Sequence, residues 1–143
     1  MEKTPTGEVY WVLYEGIPGG SYDTNRLQQK FWGTDKDGRR TDTPPLGKQT
    51  SAIGRWSWVY WGDQSAKRVL FLQRRNADGQ NDLMAYMNAK QTPTDGMIVF
   101  GFGRGPNTES QLRLPNTFTL GFAESIAHDH IAEHIQEVSR QAK

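Results

Sequence analysis

The fold class this sequence predicts is mainly β: an antiparallel β-sandwich or strongly curled sheet with one C-terminal α-helix docked on it. Three observations predict it. Short apolar runs alternate with period two between turns rich in Gly, Pro, Asn and Asp. The composition of 15 Gly, 7 Pro, 5 Trp, 5 Tyr and 6 Phe, with only 35% hydrophobic residues, suits short strands and many turns better than a helical bundle. A helical period appears only near the C-terminus. At 143 residues the chain is expected to form one domain over 1–143, with strands across 8–123 and the helix across 125–141.

Taken in order, Glu8 to Glu15 reads as the first strand. Val9, Trp11 and Leu13 alternate against Tyr10, Val12 and Tyr14, so both faces are apolar and a central strand is expected. The glycines of Gly16-Ile17-Pro18-Gly19-Gly20 end it in a loop. Leu27 to Thr34 is the second strand, and Asp35-Lys36-Asp37-Gly38 is a tight turn whose Asp-Gly pair favours a type I′ hairpin. Pro44-Pro45 and Gly47 mark a loop over 41–50 that does not fit inside a sheet.

Gly54-Arg55-Trp56-Ser57-Trp58-Val59-Tyr60-Trp61-Gly62 follows, read as one strand over 53–61. Alternation puts Trp56, Trp58 and Tyr60 on one face and Arg55, Ser57, Val59 and Trp61 on the other. Arg68 to Arg74 returns as its hairpin partner. Leu83 to Asn88 fits a strand or a helical turn equally. Met97 to Gly103 reads as a strand, Leu112 to Leu114 as a brief pairing, and Asn116 to Ala123 as the last strand, with Phe118, Leu120 and Phe122 pointing one way. In the helix Ser125 caps, Asp129 and Arg140 suit the dipole, and Ala127, Ile131, Ile135, Val138 and Ala142 form an apolar stripe. The expected core is Val12, Trp58, Val69, Phe71, Val99, Phe100, Leu120, Phe122, Ile131 and Ile135.

A net charge of +1 gives no basic footprint, which argues against nucleic acid as a partner. The absence of cysteine excludes disulfides and thiolate chemistry. No apolar run approaches the roughly 20 residues of a membrane span, and Met1 to Gly7 lacks a signal-peptide core, so a soluble protein of unassigned localisation is expected.

Catalytic signals are sparse. His130-x-x-Glu133-His134 matches the H-x-x-E-H pattern of inverted zinc peptidases over five residues. Only nine residues follow it, too few for a distal acidic ligand, so it reads as a solvated helix flank and no metal or cofactor is expected. Gly101-Phe102-Gly103-Arg104-Gly105 lacks the spacing and the following helix of a phosphate loop. Glu15 and Asp63, at predicted strand ends, are the carboxylates best placed for glycoside chemistry.

The aromatic residues carry more weight. Trp56 and Trp58 read as core, whereas Trp61 ends its strand before Gly62-Asp63 and Trp32 precedes Gly33, which predicts partly exposed indoles. With Asp63, Arg55 and Glu15 beside them, Trp61 and Trp32 have the make-up of a sugar site: a stacking face with planar hydrogen-bonding groups.

The strings Leu13-Tyr14-Glu15-Gly16-Ile17-Pro18-Gly19-Gly20, Trp58-Val59-Tyr60-Trp61-Gly62-Asp63 and Val99-Phe100-Gly101-Phe102-Gly103-Arg104 resemble stretches of bacterial β-rich proteins in carbohydrate-active settings. That resemblance implies carbohydrate handling and carries over no catalytic residue. The expected function is a non-catalytic module binding a carbohydrate or other small polar ligand through exposed aromatics. The alternatives are a small carbohydrate-active enzyme using strand-end carboxylates, and a homo-oligomeric structural protein whose aromatic face is a subunit interface.

Overall fold

Period-two apolar runs pair here into two antiparallel sheets, because each run has one face to bury and the other sheet is there to cover it. The computed structural model describes residues 12–16, 29–35, 39–41, 52–76, 79–87, 97–103, 112 and 116–141. The strands are β1 (Val12–Gly16), β2 (Lys30–Thr34), β3 (Arg39–Thr41), β4 (Ala52–Gly54), β5 (Trp58–Asp63), β6 (Arg68–Arg74), β7 (Asp82–Met87), β8 (Met97–Phe102) and β9 (Phe118–Ala123), followed by helix α1 (His128–Gln141). One sheet has the order β1-β8-β7-β4 and the other β3-β2-β5-β6-β9.

Between the sheets lies an aromatic core: Trp32, Trp56, Val59, Trp61, Leu70 and Leu72 from one side meet Met84, Ile98, Phe100 and Phe102 from the other. The opposite face of the five-stranded sheet carries Phe31, Trp58, Tyr60, Val69, Phe71 and Ala123, on which α1 seats Ile131 and Ile135. The expected helix stripe holds at those two positions and at partly buried Val138, while Ala127 is exposed and Ala142 lies outside the described residues. The first helical bond runs from the Ile131 N–H to the Ala127 carbonyl at 3.1 Å, so Ala127 and not the expected Ser125 holds the cap position. Ser125 Oγ accepts from the Ala127 N–H at 3.1 Å in a turn just before it. The molecule is thus a β-sandwich with a helical third layer.

Four further expectations need correction. The run 53–61 is two strands. Ala52–Gly54 pairs with β7 in one sheet, whereas Trp58–Asp63 pairs with β2 and β6 in the other. The chain changes sheets at Arg55-Trp56-Ser57, which resets the alternation and turns Trp56 into the inter-sheet core beside Trp61, away from Trp58. Second, β1 is an edge strand among the described residues, not a central one; 8–11 lie outside them. Third, Thr41, expected to open a loop, ends a short strand, β3, that pairs with β2; the Asp37-Gly38 turn lies outside the described residues. Fourth, Leu120 and Phe122 are not core residues but are each 56% exposed. The segment left open between strand and helix, 83–88, is a strand over Asp82–Met87.

Candidate functional site

The residues expected to bind a sugar do not form one surface. Trp32 and Trp61 are cross-strand partners on β2 and β5, and both face the second sheet. Their exposures are 7% and 0%. Trp61 Nε1 donates to the Gly16 carbonyl at 2.9 Å, which fastens the five-stranded sheet to the end of β1. Tyr14 closes over the Trp61 ring with centroids 6.0 Å apart. The correction has a physical reason: neighbouring glycines here admit rings into the core and do not mark a rim. A Cβ at Gly33 would overlap the Tyr60 ring, and one at Gly62 would lie 2.8 Å from the Val69 side chain. Trp56 and Trp58 are buried as well, and Trp11 lies outside the described residues.

Asp63 is also closed off. It pairs with Lys30 Nζ, and both side chains are buried. Its Oδ1 accepts from the Ser65 N–H at 2.7 Å and from Ser65 Oγ at 2.6 Å. Burial pushes the carboxyl up, but the hydrogen bonds from Lys30 and Ser65, with the Lys30 charge, outweigh it and hold the carboxyl below its ordinary value of 3.8. Glu15 is exposed on β1, where it alternates with the inward Tyr14 and so points away from the inter-sheet space that holds Asp63. These two carboxylates therefore cannot flank one glycosidic bond. Arg55 is exposed on the segment between the sheets.

A second buried pair was not singled out from sequence. Asp82, with no exposed surface, accepts from three elements at once. Its Oδ2 takes the Trp56 N–H at 2.8 Å and Arg74 Nη2 at 3.2 Å, and its Oδ1 takes the Gly103 N–H at 2.9 Å. The Arg74 guanidinium also stacks 5.0 Å from the Phe102 ring centroid. The Ser57 carbonyl accepts from the Arg74 N–H at 2.9 Å, and the Ser57 N–H donates to Asp35 at 3.0 Å. These partners are internal, so this carboxylate clamps the place where the chain crosses between sheets.

At the start of α1, Tyr60 Oη lies 2.8 Å from His128 Nδ1, and Trp58 stacks on Tyr60 with centroids 6.1 Å apart. Tyr60 and Trp58 are buried, so this group anchors the helix. His130, Glu133 and His134 are exposed, and among the described residues no group of three or more His, Cys, Asp or Glu is arranged to hold a metal. No helix among the described residues is long and apolar enough to cross a membrane.

What remains open is the β9 edge. Leu120 and Phe122 pair across the ladder with Leu72 and Leu70, whose side chains lie in the inter-sheet core. Among the described residues the second sheet meets β9 at Phe118, whose ring sits 5.6 Å from that of Phe102. Beyond it the core runs outward onto an uncovered apolar shelf. Natural edge strands are blunted by charge, shortness or bulges, and the other described edges obey this: β1 carries Glu15, and β3 and β4 have three residues each. The six-residue β9, Phe-Thr-Leu-Gly-Phe-Ala, has none of these devices.

Comparison with protein-family models, with curated proteins and with solved structures finds no match to this chain.

Proposed function

We propose that this protein works by contact, as an interaction module that takes another polypeptide along the β9 edge. The observation that supports this reading is the uncharged six-residue edge strand with Leu120 and Phe122 each 56% exposed on a face continuous with the core. An extended segment added there would satisfy the open main-chain groups and cover the shelf, the usual mode of strand addition. A sugar site built on Trp61 and Trp32 would need an open ring face, and both rings are packed between the sheets. The subunit-interface reading asks only for an exposed apolar surface.

Selection of a displayed random-peptide library on the folded protein tests the proposal. Enriched peptides are expected to alternate apolar and polar residues and to lose binding to the Leu120→Lys/Phe122→Lys variant. Enriched peptides that bind the variant equally well would place the contact surface elsewhere and sink the reading.

A further inference from the structure

We infer that the polypeptide received at this edge is a second copy of the same chain, joined β9 to β9 in antiparallel register about a two-fold axis through Gly121. The inference rests on the interaction reading above and gives it a partner.

Hydrogen bonding along β9 supports it first. The Arg75 N–H donates to the Thr117 carbonyl at 2.9 Å, so the odd-numbered residues turn their main-chain groups towards β6. Alternation then turns those of Phe118, Leu120 and Phe122 to the open edge. A strand pairing there must therefore form its hydrogen-bonded pairs with the even positions, which are the ones carrying the exposed apolar side chains.

Symmetry supports it next. A two-fold axis perpendicular to the sheet keeps each face on its own side, so even positions must meet even positions. With Gly121 on the axis, Leu120 falls opposite the partner's Phe122, and Phe122 opposite the partner's Leu120. Both are hydrogen-bonded pairs with the side chains on the uncovered face, so one strand sequence supplies both halves of an isologous contact. The two Gly121 residues would meet at the narrow pair, where Cα atoms approach to about 4.5 Å. Each glycine already lies against Phe71 on its helix face, where an added Cβ would sit 3.0 Å from the ring.

Charge raises no barrier to self-pairing. Between Asn116 and Ser125 the only ionisable side chain is Glu124. Its Oε1 is neutralised by Arg68 Nη2 at 2.6 Å, and the same guanidinium stands 5.9 Å from the Phe122 ring centroid. The whole chain has a net charge of +1, too little to hold two copies apart. Behind the edge, α1 rests on β6 and β9, so the pairing brings the two helices alongside each other and enlarges a contact that a six-residue strand alone would leave small.

Sedimentation velocity of the whole chain from about 5 µM to about 500 µM, where small interfaces exchange, reads the association directly. The weight-average mass is expected to rise towards twice the monomer, and Phe122→Lys to remain monomeric throughout with an unchanged melting temperature. The register is read separately. The native chain has no cysteine, so Leu120→Cys and Phe122→Cys proteins can be mixed and mildly oxidised. The mixed disulfide is expected to form several-fold faster than either homodimeric one, because only positions 120 and 122 stand opposite each other. A monomer at every concentration overturns the inference, as does a dimer unaffected by Phe122→Lys or equal rates for the three disulfides. A monomer that still enriches β9-dependent peptides would remove the second copy and leave strand addition standing, whereas failure of both would remove the two together.

Discussion

Strand β6 has a neighbour on each side, and the two neighbours meet opposite fates. Leu70 and Leu72 pair with Trp61 and Val59 on β5, and with Phe122 and Leu120 on β9. All four partners are apolar, antiparallel and in regular register, yet the β5 pair is fully buried and the β9 pair is each 56% exposed. The difference lies in the opposite layer. Among the described residues the four-stranded sheet stands over β5 and meets β9 at Phe118. Alternation of apolar residues therefore identifies which face of a strand wants cover, and the neighbouring layer decides whether it is covered.

The comparison is broken most strongly at the clamp that holds the layers together. Asp82→Ala would leave Arg74 charged and buried and two main-chain N–H groups without their acceptor. Losing one partner of a buried pair costs about 3–5 kcal/mol, and the orphaned donors add to that. Urea denaturation is expected to find this variant unfolded or barely folded.

Next, Trp61→Ala should cost about 3–5 kcal/mol through the cavity it leaves, whereas Phe122→Ala should cost under about 1 kcal/mol as a surface change. Paired thermal melts of the two variants measure the asymmetry, and equal losses would show that β9 is covered after all.

Acid sharpens the same contrast on the buried side. The Asp63 carboxyl is held below its ordinary value of 3.8, so the unfolded chain takes up its proton first as pH falls. The stabilisation is complete above that ordinary value and disappears as pH drops through the lower folded value, leaving Lys30 charged and buried. Replacing both partners, as Lys30→Met/Asp63→Leu, should flatten this acid limb in melting temperature against pH, while the Phe122→Ala profile keeps it.

A smaller effect than that of the clamp or the core indole belongs to the helix layer. Tyr60→Phe removes the bond to His128 and should cost about 1 kcal/mol, seen as faster amide exchange in the first turn of α1 with little change in the inter-sheet core.

Much of the fold is readable from local pattern. Arg68–Arg74, Met97–Phe102 and the stripe of α1 declare themselves because each lies wholly in one layer, so a constant period describes it. Trp56 does not, since the chain leaves one sheet and joins the other within Arg55-Trp56-Ser57, and a period extrapolated through a crossing assigns the wrong face. Polar Arg55 and Ser57 interrupting an aromatic run were the available signal. Trp61 and Trp32 misled for a related reason: adjacent glycines look like a strand rim, but in this packing they make room for Tyr60, Val69 and Phe31. The β9 edge was read correctly as a strand with Phe118, Leu120 and Phe122 on one side. Its exposure depends on strand order, which residue types alone do not encode.

The crossing at 55–57 also bears on how the molecule comes apart. The two sheets share one continuous backbone there, and a single carboxylate holds that segment, β6 and the end of β8. Sliding or parting the layers would pull Arg74 on β6 away from Asp82 on β7 while both are still largely shielded from water. Partial opening is thereby penalised more heavily than complete loss of structure, and the sandwich should melt as one cooperative unit. Indole fluorescence from the inter-sheet core and amide exchange along β8 would then share one midpoint, while the β9 edge frays independently of both.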